Sequence, residues 1–226
     1  VVGDADFPDP NNLISGKSRK AFRWTQASGF QNLGDLQLAG LAIATAVTGD
    51  GTVVVGQASV SNGSRAFRWI TPTPPAQPVM QPIGPLSGHT HAAATGVSDN
   101  GKIVVGTSSS GPLTRGNLGF NHGTGAFRWT QAAGLQDLRQ ILIDGGQDMS
   151  GITLVSVTGM SPDGQWIQGA ATTAQTGPNE TVAFIAQVCD DDIGGPCSTT
   201  GAAPFTLGAT PSQLTVSAGQ SAPTTI

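Results

Sequence analysis

The tetrad Ala-Phe-Arg-Trp opens at Ala21, at Ala66 and at Ala126, and a weaker version, Ala-Phe-Ile-Ala, opens at Ala183. A second stretch recurs between these copies. It reads TAVTGDGTVVVGQAS from Thr45, TGVSDNGKIVVGTSS from Thr95 and TGMSPDGQWIQGAAT from Thr158. A pattern copied every 45 to 60 residues or so confines the chain to an architecture that stacks one supersecondary unit many times.

Each copy predicts two hairpins. Asp-Gly or Asn-Gly between apolar runs marks a tight turn that needs positive φ, which places hairpins at 49–51, 100–101 and 163–164. The tetrad followed by Gln-Ala-Ser-Gly or Gln-Ala-Ala-Gly predicts another turn and a returning strand. Alternation along the tetrad strand puts Phe22, Trp24, Phe67, Trp69, Phe127 and Trp129 inward and Arg23, Arg68 and Arg128 on the other face. The arginines are expected to tie neighbouring units to a carboxylate such as Asp35 or Asp137.

Four short sequential strands at this period predict an all-β fold, a β-propeller-like array of four-stranded antiparallel blades, with no helix. Solenoid repeats are usually shorter, and a sandwich does not require copies. Residues 1–188 hold the repeats, with units near 21–60, 66–110 and 126–172 and partial units at 1–10 and 183–188. A disulfide loop and linker follow at 189–203. Residues 204–226 read as the opening strand of an immunoglobulin-like module or as an assembly tail. Val1-Val2-Gly3 matches the closing strand of a unit, so the chain reads as a window cut from a longer protein.

Charged residues make up 11% of the chain, Gly accounts for 32 of 226 positions, and the net charge is −4. The absence of any basic run excludes a nucleic-acid footprint. No apolar stretch reaches the roughly 18 residues of a membrane span. Cys189 and Cys197 flank a short loop containing Gly-Gly-Pro, and no third or fourth soft metal ligand exists. A disulfide between them, and hence an oxidising, extracellular or cell-surface location, is the expected reading.

With AFRWT, GFQNLGDL, ATAVTGDG and VVVGQAS in view, the chain resembles the HAF family of bacterial extracellular repeats over about residues 1–188. TPSQLTVSAGQS is similar to the start of a bacterial immunoglobulin-like module. The second unit departs from the HAF pattern at MQPIGPLSG, and the third ends in WIQGAA. The resemblance implies an exported, propeller-like repeat protein and carries no catalytic residues.

Candidate chemistry is sparse. His89 and His91 share one face of a strand at period 2, and His122 follows one unit later, a set that a metal site would need. Asp4, Asp6 and Asp9 alternate oxygen ligands in a segment suited to calcium, without the glycine and terminal glutamate of a helix-loop-helix site. Asp190, Asp191 and Asp192 form a second acidic loop. Phe120, in Leu-Gly-Phe-Asn-His-Gly, is the non-repeat aromatic of a long loop. Asn62 and Asn179 fit the N-glycosylation acceptor pattern. No nucleophile elbow appears, and the turn aspartates Asp50, Asp99 and Asp163 recur with the hairpins rather than as paired acids.

Two readings follow. The first is a non-enzymatic extracellular structural or adhesion protein with no cofactor, whose open sheet edges invite strand addition and filament formation, making the chain its own partner. The second is a glycan-binding module or hydrolase with its site in the propeller mouth, lined by Phe120, His89, His91 and His122, its partner a cell-surface glycan.

Overall fold

A computed structural model describes residues 1–12, 14–36, 40–71, 79–112, 124–177, 180–190, 192–193 and 205–208. They form four antiparallel sheets, each a meander in chain order. The first sheet contains β1 (Val2–Pro8), β2 (Lys17–Thr25) and β3 (Gly29–Gly34). The second contains β4 (Ala42–Val47), β5 (Val53–Val60), β6 (Gly63–Ile70) and β7 (Val79–Ile83). The third contains β8 (His91–Val97), β9 (Ile103–Ser109), β10 (Thr124–Thr130) and β11 (Gly134–Asp137). The fourth contains β12 (Thr153–Met160), β13 (Trp166–Thr172), β14 (Val182–Gln187) and β15 (Phe205–Gly208).

The all-β expectation holds, and the expectation of no helix does not. A short helix, α1 (Leu138–Asp144), follows β11. Asp137 caps it by accepting the Arg139 N–H at 2.9 Å, and Leu138 and Leu142, spaced i and i+4, bury one face. The first unit turns back as a strand at the same place, which is why copying its pattern hid the helix.

The expected lone strand near 183–188 is also corrected. β14 sits inside a full sheet between β13 and β15, so Phe205–Gly208 completes the fourth sheet. The tetrad strands β2, β6, β10 and β14 are each followed by the last strand of their sheet, and the residues matching VVVG lie on the strand before.

The turn between the first two strands of a sheet is built identically three times. Thr48, Ser98 and Ser161 donate their hydroxyls to Asp50, Asn100 and Asp163, whose side-chain oxygens accept the N–H of Thr52, Lys102 and Gln165. Gly51, Gly101 and Gly164 follow at φ 74°, 67° and 82°, the left-handed conformation that this loop requires. The recurring [Ser/Thr]-x-[Asp/Asn]-Gly is therefore a local lock on each hairpin.

A second device sits one strand-length away. β4, β8 and β12 are bulged at Thr45, Thr95 and Thr158, each inserted between paired residues. The bulge drives a backbone carbonyl against the neighbouring strand, so that a Cβ added at Gly56, Gly106 or Gly169 would lie 2.0, 2.1 or 1.9 Å from the oxygen of Ile43, Ala93 or Ser156. The same glycines pair in register with Phe67, Phe127 and Phe184. Only glycine leaves room for the carbonyl, and at Gly106 and Gly169 for the phenyl ring as well.

Consecutive sheets pack face to face. β1 and β2 lie against β4, β5 and β6 against β8, and β9 and β10 against β12. Three apolar cores fill the three seams, joining Ala21 and Leu33 to Phe67 and Trp69, Val53 and Ala66 to Phe127 and Trp129, and Ile103 and Leu138 to Ile167 and Phe184.

Candidate functional site

The seams gather the residues that recur. On β6 and β10 Phe and Trp face the preceding sheet, whereas Ala66 of β6 packs toward the following one. Arg23 crosses the first seam, donating to the Gly51 carbonyl at 2.6 Å, to Thr71 Oγ1 at 2.7 Å and to Gln31 Oε1 at 2.9 Å. Its guanidinium lies 5.1 Å from the Trp69 ring centre. Arg68 repeats the arrangement, with Nε donating to the Gly101 carbonyl at 3.0 Å and the guanidinium 5.7 Å from Trp129. Each arginine thus reads the hairpin lock and the tryptophan of the next sheet together. Burial pushes the Arg68 pKa down from its usual value.

The third seam departs because the fourth tetrad has Ala186 where Trp would stand. Arg128, 1% exposed, instead makes a two-pronged ion pair with Asp190, at 2.8 and 2.9 Å. Asp190 follows Cys189, which is disulfide-bonded; Cys197, the one other cysteine of the sequence, lies outside the described residues. The Asp192 carbonyl accepts from Asn100, so this acidic segment is fastened to the third sheet at two places. The expected carboxylate partners were different. Asp35 pairs with Lys20, which also bridges to Asp9, and Asp137 caps the helix.

The outermost tetrad residues break the expected inward pattern. Phe67, Trp69, Phe127 and Trp129 are buried, but Trp24 is 38% exposed and Phe30 66%. At the opposite end Trp166 and Ile185 are 40% and 46% exposed and line a groove of about 410 Å³ with Met160 and Gln168. These are the two terminal faces of the stack.

The histidines do not form the expected strand-face pair. His89 precedes β8 and meets Ser108 Oγ at 2.9 Å, while His91 Nδ1 meets Thr90 Oγ1 at 2.8 Å. Ser108 is fully buried; its Oγ accepts the Leu86 N–H and donates to the His91 carbonyl. With its own proton directed at the His91 carbonyl, Ser108 accepts a hydrogen bond from His89 Nδ1–H, the reverse of the arrangement in which a histidine activates a serine. Burial lowers the His89 pKa, and Asp137 opposes that shift.

Asp4 pairs with Arg19, and Asp9 accepts from Ser18 at 2.6 Å and from the Asn11 N–H at 2.9 Å. Asp4 and Asp6 lie on β1, and Asp9 is turned into its own loop with Lys20. Among the described residues no three His, Cys, Asp or Glu side chains converge to hold a metal. Phe120, His122, Asn179 and Asp191 lie outside the described residues. A further groove, of about 460 Å³, lies between the first two sheets with Asp35, Asn62 and Arg65 at its polar points. Among the described residues no helix is long and apolar enough to cross a membrane.

The roles of Asp190 and of the glycines facing each phenyl ring were missed from the sequence. The glycines carried a signal in the repeated Val-Val-Gly. Asp190 carried one only in the loss of Trp from the fourth tetrad. No family model matches the chain, and no curated protein does.

Proposed function

We propose that this chain is a non-enzymatic structural or adhesion protein of the extracellular space or cell surface, built from HAF-type, propeller-like blades and assembling by strand addition. One observation carries the reading: the residues that recur either lock a hairpin of their own sheet or tie that sheet to the next. Arg23 and Arg68 bind the following sheet's turn and tryptophan, Asp50 and Asp163 are held by their own hairpins, and Asp99 accepts from the Gly49 N–H of the preceding sheet's turn. Repetition therefore serves the sheet and its seam and not a reacting centre.

Meandering four-stranded sheets stacked along the first strands β4, β8 and β12 fit the blades of a propeller. The disulfide at Cys189 favours an oxidising compartment. The acidic segments need no ion in this reading, because Asp9 and Asp190 already neutralise Lys20 and Arg128.

Electron microscopy of the purified protein over a range of concentrations, read beside sedimentation velocity, tests the proposal. Ordered fibres that grow with concentration support it. A monodisperse particle that cleaves polysaccharides in a substrate panel overturns it.

A further inference from the structure

Among the described residues the first sheet lacks the outer strand that the other three possess, yet it carries that strand's imprint. β1 corresponds to β5, β9 and β13, because Gly3 pairs with Phe22 as Gly56 does with Phe67, Gly106 with Phe127 and Gly169 with Phe184. In those three sheets the glycine is required by a bulged neighbour whose carbonyl would sit 1.9 to 2.1 Å from a Cβ. Among the described residues Gly3 has no such neighbour: a Cβ there would meet the Phe22 ring, at 3.1 Å. Its φ lies outside the left-handed region, so the backbone does not require glycine either.

The edge is also correctly oriented. Val1 and Trp24 exchange both backbone hydrogen bonds, so Val2 and the alternate residues after it direct their backbone groups away from β2. Among the described residues no strand lies on that side of β1. By the register of β4 on β5, an added strand would cover Val1 to Ala5, and exposed Asp6 and Pro8 blunt the edge beyond it.

We propose that the β1 edge is a docking site for a β-strand of the β4/β8/β12 type. That strand places a small residue opposite Gly3, bulges at a threonine immediately after it and ends in [Ser/Thr]-x-[Asp/Asn]-Gly. The three completed sheets of the same chain specify this partner: alanine or valine faces the glycine, the preceding carbonyl abuts it, and threonine is the extra residue each time. The proposal rests on the strand-adding reading above and names which strand is added, and where.

The test uses a labelled peptide with the sequence of residues 41–51, LAIATAVTGDG, titrated onto the full chain by fluorescence anisotropy, with hydrogen exchange to locate it. A peptide lacking the bulge threonine is the control. Saturable one-to-one binding, slowed exchange in residues 2–5 and a loss of at least tenfold in affinity on Gly3→Ala are expected. The Gly3→Ala chain should melt within a few degrees of the unaltered one, in contrast to Gly56→Ala. Absence of binding, protection elsewhere, or affinity unchanged by Gly3→Ala overturns the proposal, as does a Gly3→Ala chain as unstable as Gly56→Ala. Fibres without peptide binding would leave the assembly reading standing on another surface; peptide binding without fibres would do the reverse.

Discussion

Arg23 of the first sheet lies over the ring of Trp69 in the second, 5.1 Å from its centre, while the same guanidinium binds the turn that opens the second sheet. One side chain thereby fixes both the face and the end of its neighbour. The relation explains why the tetrad is copied as a unit: the arginine of one sheet needs the tryptophan of the next. It also explains where the copying stops, since Ile185 and Ala186 replace Arg and Trp at the last sheet and Asp190 takes over the charge of Arg128.

The bulge glycines are predicted to be the least replaceable small residues. Gly56→Ala, Gly106→Ala and Gly169→Ala each force a methyl group into a backbone carbonyl at about 2 Å. Each should lower stability by at least about 2 kcal/mol. Urea denaturation followed by tryptophan fluorescence gives the values; a cost below about 0.5 kcal/mol at these positions would refute the bulge argument.

Removing Asp190 strands a buried cation. Asp190→Ala leaves Arg128 without its carboxylate and should cost about 2 to 4 kcal/mol, toward the low end because Asp190 is partly exposed. Adding Arg128→Met to that variant should restore part of the loss. Thermal melts of the two single variants and the double one measure this, and equal losses in all three would contradict it.

Acid should unlock the hairpins. The hydroxyls of Thr48 and Ser161, and then the N–H groups of Thr52 and Gln165, hold the carboxyls of Asp50 and Asp163 below their usual pKa. Their stabilisation is therefore complete above the unfolded value near 4 and is lost as pH falls through the lower folded value. Asn100 does the same work with an amide, so the double variant Asp50→Asn, Asp163→Asn should match the unaltered chain at pH 7 and outlast it below pH 4. Melting temperature against pH decides it. His89, held below its usual pKa by burial, adds a separate loss that begins as pH drops below about 6.5.

The Cys189 bond should stiffen the third seam through Asp190. Reduction is expected to lower stability by about 2 to 3 kcal/mol and to make the further cost of Asp190→Ala smaller, because the freed segment no longer presents its carboxylate. Melts with and without reductant, on both chains, give the comparison. Additive losses would break the link between bond and ion pair.

Much of the fold was legible because its signals are local. Asp-Gly and Asn-Gly locate the hairpins through the positive φ at Gly51, Gly101 and Gly164, and alternation along the tetrad separates buried Phe67 and Trp69 from seam-facing Arg68. What was not legible depends on neighbours. Trp24 carries the same code as Trp69, but among the described residues no sheet precedes it to bury it, and Asp137 resembles a surface acid until Leu138 and Leu142 turn it into a helix cap. The seam chemistry required knowing which sheet follows which, so Asp35 and Asp137 were plausible partners for arginines that in fact reach turn carbonyls, a tryptophan face and Asp190. The histidines looked paired only while both were placed on one strand.

The most direct measurement is a double-mutant cycle across the first seam, using Arg23→Gln, Trp69→Leu and the two together, each unfolded in urea at neutral pH. If repeated residues exist to lock consecutive sheets, the pair should show a stabilising coupling of about 1 kcal/mol beyond additivity. A coupling indistinguishable from zero would mean that the contact is incidental and that the reason for the repeat lies elsewhere.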